Sequence, residues 1–115
     1  RFYIHARNIA DALLHILNNC DEILDNYDAA SGKFNIDGEK ETDNLQLAQL
    51  IAGNLGKELK YEMVDFHSQR PGHDLRYAMD GQKMKDLGWV HPIPFEESLS
   101  DTIEWTLKRK EWLEI

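Results

Sequence analysis

The sequence predicts an α/β fold in which short, partly parallel strands pack with about four helices. Short runs rich in aromatic and β-branched residues, at 1–5 and 32–36, are typical of strands. Longer segments with apolar residues at helical spacing lie between such runs. The chain has 115 residues and no internal repeat, so residues 1–115 are predicted to form one domain.

The first predicted helix follows the opening strand. Asn8 has a side chain that can cap a helix N-terminus. Beyond it, apolar residues recur at helical spacing: Ile9, Leu13, Ile16 and Leu17. The paired asparagines at 18–19 are expected to end this helix, and the acidic, turn-rich segment 21–31 predicts a loop.

The second predicted helix begins after a turn in the middle of the chain. One of Thr42, Asp43 and Asn44 is expected to cap it. Gly56 is suited to end it, because glycine readily adopts the left-handed conformation found after helices. The mixed apolar segment 59–66 predicts a further strand.

The last third of the chain combines a loop, a short extended segment and two helices. The loop is predicted at 68–74 and the extended segment at 75–79. Asp80 is expected to cap a short helix that Gly88 ends. The final helix is predicted from Phe95, with acidic residues in its first turn, where the helix dipole favours them.

Composition excludes several classes of partner. The net charge is −8, from 21 acidic and 13 basic residues, so the field of the whole chain repels a nucleic-acid backbone. No apolar run approaches the roughly 18 residues of a membrane span. Neither nucleic acid nor membrane is therefore an expected partner, although a local basic pocket for one small phosphorylated ligand remains compatible with this charge.

The single cysteine and the five histidines give no sign of a metal site. Cys20 excludes both an internal disulfide and a cysteine-based zinc cluster, and it fits a reducing, cytoplasmic location. We expect Cys20 to pack near a helix end and not to act as a nucleophile. No pair of histidines has the helical spacing of a zinc protease, so no metal ligand is assigned.

The parts needed for hydride transfer are missing from the sequence. The seven glycines do not form the turn that lets backbone approach a dinucleotide pyrophosphate. A tyrosine activated by a lysine four residues later is also missing, because the residues at that spacing are Arg7, Ser31, Asp65 and Gly81. We therefore assign no catalytic residue and no cofactor-binding residue to this chain.

One loop has an unusual combination of side chains. In Arg70-Pro71-Gly72-His73-Asp74, a cation and an imidazole accompany a rigid proline and a permissive glycine. Such a loop can present Arg70 and His73 to a diphosphate, because a guanidinium forks onto phosphate oxygens through strong, charge-assisted hydrogen bonds. The alternative from spacing alone is a solvated turn with a surface arginine.

The wider pattern decides between these interpretations. The sequence RPGHDLRYAMD at 70–80 is followed by LGW at 87–89, FEESL at 95–99 and TIEW at 102–105. This order strongly resembles the C-terminal portion of nucleotide-sugar 4,6-dehydratases, above all those acting on dTDP-glucose. These enzymes are extended short-chain dehydrogenase/reductases, and the resemblance covers essentially the whole chain.

The resemblance implies a division of labour. In that family an N-terminal Rossmann lobe binds NAD and carries the catalytic Tyr–Lys pair, while the C-terminal lobe binds the nucleotide-diphosphate sugar. The parent enzyme oxidises the sugar at C4 with NAD, eliminates water across C5–C6 and then reduces C6. The chain is thus expected to be a nucleotide-sugar-binding C-terminal domain that lacks the Rossmann lobe, binds no cofactor and is inactive alone.

The resemblance also implies roles for four residues. Arg1 matches an arginine near the pyrophosphate and nucleotide, and Asn44 matches an asparagine at the nucleotide-diphosphate site. Arg70 is expected to grip the pyrophosphate, with His73 close by. Simpler roles remain open at this stage: Asn44 as a helix cap and His73 as a brace for backbone.

The chain departs from the family pattern at two places. Gln69 stands where an aspartate usually precedes Arg-Pro, which affects the orientation of Arg70. Asn8 stands where the family has an aspartate before its first helix, which keeps capping ability and loses a charge. Arg76 and Tyr77 are expected to alternate on a strand and to be structural.

Two other functions remain open from the sequence. The chain is alternatively part of a UDP- or GDP-sugar epimerase or decarboxylase, or a stand-alone binding or interaction module. The opening in mid-strand without an initiator methionine favours a fragment of a larger enzyme. The surface that normally packs on the Rossmann lobe would then be exposed, and we expect non-native self-association.

Overall fold

The structure is a computed structural model that describes residues 1–26 and 32–113. These residues contain six α-helices and one 3-10 helix. In chain order the helices are α1 (Ala6–Asn18), α2 (Cys20–Asn26), α3 (Asn44–Asn54), α4 (Phe66–Gln69), α5 (Gln82–Asp86) and α6 (Phe95–Lys108), followed by the 3-10 helix Lys110–Trp112.

The predicted α/β fold with short, partly parallel strands is wrong, because the described residues form helices and no strand. Their one β-pairing is an isolated antiparallel bridge between Phe2 and Glu41. The predicted strands at 32–36, 59–66 and 75–79 have no ladder. Strand-forming side chains favour a pleated, half-buried surface, but a strand also needs a neighbour to satisfy its backbone, and these segments lack one here.

Helix α1 begins earlier than predicted. His5 is its N-cap, and its Nδ1 accepts a hydrogen bond from the backbone of Arg7 at 3.0 Å. Asn8, the predicted cap, is buried inside the helix, where its Nδ2 donates to the carbonyl of Ile93 at 2.9 Å. The cap prediction was wrong because this amide makes a tertiary contact. The predicted helix end at Asn18 is confirmed.

The face of α1 that enters the core is not its leucine stripe. Ala12 is fully buried, whereas Leu13, Leu14 and Leu17 are 51 %, 58 % and 65 % exposed. Ala12 joins a small buried cluster whose other members are Met84 and Trp89. Half-buried apolar side chains complete this cluster: Ile4, Ile16, Phe34 and Ile36. Of the apolar residues at helical spacing, Ile16 therefore packs against the core, whereas Leu13 and Leu17 stay exposed.

Helix α2 occupies part of the predicted loop. Residues 21–26 are helical, so that prediction was wrong there, and residues 27–31 lie outside the described part. Asp21 and Glu22 lie in the first turn, where the helix dipole stabilises negative charge. Ile23 is buried, but Cys20 is exposed, so its predicted packing role was also wrong.

Helices α3 and α6 pack against each other. Asp43 caps α3 through a reciprocal capping box with Gln46, at 2.8 Å and 3.2 Å. Gly56, which has a φ of +60°, follows the helix as predicted. The predicted start of α6 at Phe95 is confirmed, and its first turn contains the predicted glutamates.

The predicted short helix before Gly88 is confirmed as α5. Gly81 is its N-cap position, while the carboxylate of Asp80 accepts a hydrogen bond from the backbone of Gln82 at 2.9 Å. Gly88 follows the helix with a φ of +81°, which L-residues rarely adopt. Asp80 therefore accepts a hydrogen bond from a helix N–H, as expected of a cap, although it lies one position before the N-cap residue Gly81.

Long-range polar contacts fix the chain start and α1 against the rest. Trp89 Nε1 donates to the Asp11 carboxylate at 2.8 Å, and His91 Nε2 donates to the carbonyl of Asp37 at 2.8 Å. Gly38 lies so close to the first segment that a Cβ on it would be 2.2 Å from the Tyr3 carbonyl oxygen. Glycine is required there because the two backbones meet directly.

The molecule is expanded for its size. Its accessible surface is 8962 Å², against about 6,500 Å² for a compact monomer of this mass. Its radius of gyration is 17.8 Å, against about 13 Å for a compact domain of this length. Much apolar surface is therefore left without an internal partner. Across residues 1–26 and 32–113, no helix combines the length and apolar character needed to cross a membrane.

Candidate functional site

A cleft of about 520 Å³ lies where the chain start, the first turn of α3 and the segment after α4 meet. This volume falls within the range of about 300–1,000 Å³ that is usual for small-molecule sites. All four residues predicted from the sequence line it: Arg1, Asn44, Arg70 and His73. The fold thus brings side chains from three distant parts of the sequence to one cleft.

Arg1 is held through both its backbone and its side chain. Its backbone nitrogen donates to the Thr42 carbonyl at 3.0 Å, and its carbonyl accepts from the Thr42 nitrogen at 2.9 Å. Its guanidinium carbon lies 4.8 Å from the centre of the Tyr77 ring. At this distance a guanidinium is attracted to the face of an aromatic ring. The cation therefore lies at the cleft on an aromatic support.

Asn44 is the first residue of α3 and does not cap it, because Asp43 performs that role. The Oδ1 atom of Asn44 accepts a hydrogen bond from the Tyr3 hydroxyl at 3.0 Å. This bond leaves the amide nitrogen as a donor for the cleft. The alternative reading of Asn44 as a helix cap is therefore wrong.

Arg70 and His73 share the loop that follows α4. The Arg70 nitrogen donates to the Phe66 carbonyl at 2.8 Å, and the His73 nitrogen lies 3.3 Å from the Arg70 carbonyl. Gly72 makes the turn possible with a φ of +77°. Gln69, the departure from the family pattern, is the exposed last residue of α4. The turn brings the arginine and the histidine to the same cleft.

The cleft is electrostatically mixed, but its carboxylates are largely occupied. Three arginines and three acidic residues line it. Asp43 accepts from the α3 backbone, and Glu41 forms a two-point ion pair with Arg76 at 2.6 Å and 3.0 Å. Within the described part of the chain, neither Arg1 nor Arg70 has an ion-pair partner. Two guanidinium groups without a carboxylate partner among the described residues thus line a cleft of an acidic chain.

The Glu41–Arg76 pair shifts the titration of both groups. The hydrogen bond from Arg76 lowers the pKa of Glu41, and the same bond raises the pKa of Arg76. Both side chains keep substantial contact with water, so solvent screens the pair. The pair stays charged at neutral pH and is not suited to move protons.

Binding of a metal ion requires a group of ligating side chains close together. In residues 1–26 and 32–113, no group of three or more His, Cys, Asp and Glu side chains could hold a metal ion. The guanidinium, imidazole and amide groups that line the cleft are hydrogen-bond donors of the kind that bind anionic ligands.

Comparison with known proteins gives the same family from overall similarity. The chain is 40 % identical over 89 residues to a dTDP-glucose 4,6-dehydratase of Escherichia coli, an alignment that covers 69 % of this chain and 25 % of that protein. For a dTDP-glucose 4,6-dehydratase of Neisseria meningitidis serogroup B the identity is 38 % over 90 residues, covering 69 % and 25 %. For one of Xanthomonas campestris it is 33 % over 89 residues, covering 70 % and 25 %.

This chain is homologous to part of dTDP-glucose 4,6-dehydratase. The predicted family resemblance is confirmed by these relatives, of whose length the chain spans about a quarter. No family model matches the chain, and no solved structure matches it.

Sequence reasoning missed part of the cleft of this dehydratase homologue. Arg76 and Tyr77, expected to be structural, also line the cleft, as does Glu41. Arg76 and Tyr77 lie two and three positions after the RPGHD loop, and this proximity is a signal that could have found them. Glu41 had no such signal, because its pairing with Arg76 spans 35 positions and depends on the tertiary fold.

The three tryptophans divide between the core and the surface. Trp89 is buried and belongs to the core cluster with Ala12 and Met84. Trp105 and Trp112 are exposed, with ring centres 6.1 Å apart, and neither lines the cleft. Phe66, half-buried, is instead the aromatic side chain that accompanies Tyr77 at the cleft.

Proposed function

We propose that this chain binds a nucleotide-diphosphate sugar as the substrate-binding part of an NAD-dependent nucleotide-sugar 4,6-dehydratase. The observation that carries the proposal is the cleft itself, which unites Arg1, Asn44, Arg70 and His73. Two of its guanidinium groups have no carboxylate partner among the described residues, which is the electrostatic condition for binding a diphosphate.

Each side chain has a distinct task in this proposal. Arg70 and Arg1 bind the diphosphate oxygens, since a guanidinium offers a planar fork of N–H donors that matches phosphate. His73 donates to the same group, and the Asn44 amide donates to the nucleotide diphosphate. Phe66 supplies apolar cover beside them. The ligand is thereby held in one orientation, and orientation is a large part of how an enzyme lowers a barrier.

The chemistry itself belongs to another part of the proposed enzyme. This chain has neither the glycine turn for a dinucleotide nor a tyrosine with a lysine four residues later. In the proposal NAD binds to a Rossmann lobe outside these 115 residues, and the assembled short-chain dehydrogenase/reductase acts as a lyase on the sugar. The chain alone is then inactive. A cytoplasmic location is part of the proposal and rests on the single cysteine of the chain.

The exposed apolar surface supports the proposal that another protein element packs against this chain. This element belongs either to the same polypeptide or to a separate one. The accessible surface exceeds that of a compact monomer by about 2,500 Å². Leucines of α1 and α2 contribute to it: Leu13, Leu14, Leu17 and Leu24. An apolar helix face of this kind marks a surface that another protein element covers. In the proposal this element is the Rossmann lobe, and self-association is the substitute when the lobe is missing.

The proposal is tested by NMR titration of the 115-residue chain with dTDP, UDP and GDP. We expect shifts confined to residues of the cleft, with weak affinity because only part of a binding site is present. Arg70→Ala is expected to weaken dTDP binding by about ten-fold or more, the loss of charge-assisted hydrogen bonds. Arg7→Ala is the matched control, since Arg7 is exposed on α1 and outside the cleft.

Two results would contradict the proposal. One is the absence of any shift at millimolar nucleotide, which would show that the chain does not bind it. The other is an equal loss of affinity in the Arg70→Ala and Arg7→Ala variants, which would indicate attraction by general charge and not by the cleft. A ranking of the three nucleotides would in addition identify the preferred base.

A further inference from the structure

The Arg1 guanidinium lies on the Tyr77 ring, at 4.8 Å from its centre. An exposed arginine has many rotamers, and a ligand that binds a mobile guanidinium must order it at an entropic cost. Stacking on an aromatic face restricts the guanidinium before any ligand arrives, while its edge N–H groups stay available. Tyr77 thus has the right position to prepare Arg1 for an anion.

Tyr77 is in turn held by its neighbour Arg76. The guanidinium of Arg76 makes two hydrogen bonds to the Glu41 carboxylate, at 2.6 Å and 3.0 Å. Two-point pairing fixes the direction of a guanidinium as well as its distance. The backbone that carries Tyr77 is therefore tied to the segment before α3.

The same segment holds the backbone of Arg1. Glu41 forms the β-bridge with Phe2, and Thr42 exchanges backbone hydrogen bonds with Arg1 at 2.9 Å and 3.0 Å. The contacts form a closed circuit: Arg1 backbone, residues 41–42, Arg76, Tyr77 and back to the Arg1 guanidinium. A circuit of this kind fixes the cation relative to its own backbone, although each member is close to solvent.

We propose that Tyr77 is a positioning residue for Arg1 and that the Glu41–Arg76 ion pair keeps Tyr77 in its position beside the Arg1 guanidinium. The consequence for ligand binding rests on the proposed function of the cleft. Tyr77 contributes to affinity through Arg1, and it therefore has little effect once Arg1 is removed.

The first test needs no ligand. Ring currents of Tyr77 shift the side-chain protons of Arg1 upfield, and proton NMR of the 115-residue chain measures this shift. We expect Tyr77→Leu to abolish it, Tyr77→Phe to retain it and Glu41→Gln to reduce it. Tyr61→Leu and Glu104→Gln are matched controls, because Tyr61 is an exposed tyrosine outside the cleft and Glu104 pairs with Lys108 on α6.

The second test is a double-mutant cycle with dTDP as the probe. Tyr77→Leu is expected to weaken binding by about two- to five-fold, the effect of one exposed cation–π contact. Tyr77→Phe is expected to restore the affinity. Arg1→Ala combined with Tyr77→Leu is expected to bind no more weakly than Arg1→Ala alone, because Tyr77 acts through Arg1.

The outcomes separate this inference from the function on which it rests. Unchanged Arg1 shifts in Tyr77→Leu, or additive losses of affinity in the cycle, would overturn the positioning role. If the unaltered chain binds no dTDP, the proposed binding function fails, and the ligand-free Arg1 shifts still decide whether Tyr77 positions the guanidinium.

Discussion

Replacement of Met84 by alanine tests where the core of this chain lies. Met84 is 1 % exposed and belongs to the buried cluster with Ala12 and Trp89. The substitution removes two carbons and a sulfur from this cluster, a transfer loss of about 2 kcal/mol. The cavity left behind adds to this loss, and buried methionine-to-alanine changes cost about 2–5 kcal/mol in total. For a protein with so small a core, this is a large part of the free energy of unfolding.

The assay is urea unfolding followed by far-UV circular dichroism and by tryptophan fluorescence. With an m-value of about 1.5 kcal/mol/M, we expect the Met84→Ala midpoint to fall by about 1–3 M. Met63→Ala is the matched control, since Met63 is 75 % exposed, and we expect a change within about 0.5 kcal/mol. Equal shifts in the two variants would refute the placement of the core around Met84.

Three further predictions follow from local geometry. A Gly38→Ala variant should be strongly destabilised, because its Cβ would lie 2.2 Å from the Tyr3 carbonyl oxygen. Gly53→Ala in α3 is the matched control, because a Cβ at this position meets nothing within 4 Å. The thermal unfolding temperature should therefore fall in Gly38→Ala and rise in Gly53→Ala, since alanine in an open helical position gains about 0.5–1 kcal/mol of stability over glycine. Because the pKa of Glu41 is lowered in the folded chain, its pair with Arg76 is complete at neutral pH. The pair is lost as pH falls through that lowered pKa. The Arg76 side-chain NMR signals should therefore stay constant from pH 7 to 5 and change only at lower pH. A change of these signals near neutral pH would contradict the pairing. Light scattering should show self-association that rises with concentration, and a clean monomer at high concentration would count against an uncovered apolar face.

Several elements could be predicted because their causes are local. The start of α6, the glycines after α3 and α5, and the turn at Gly72 depend on side chains within a few positions of one another. The family could be predicted for a similar reason, since the RPGHD loop and the motifs after it follow a fixed order along the chain. The relatives at 33 % to 40 % identity confirm that resemblance.

The errors share a different cause. The predicted strands lack a ladder because β-pairing depends on a neighbouring segment, which local composition does not specify. Asn8 was assigned to a cap, but its amide makes a contact 85 positions away, with Ile93. The leucine stripe of α1 is exposed, while Ala12 enters the core. In each case a distant part of the chain decided the role of a locally suitable residue.

The candidate binding residues and the family can be predicted from the order of residue types along the chain. The folded chain was needed to find that Arg1, Asn44, Arg70 and His73 line one cleft, and that Glu41, Arg76 and Tyr77 also line it. This difference comes from the sequence separation of the groups that interact. Helix caps and turns are decided by neighbours a few residues apart, whereas the ion pair and the stacked guanidinium join groups separated by 35 and 76 positions.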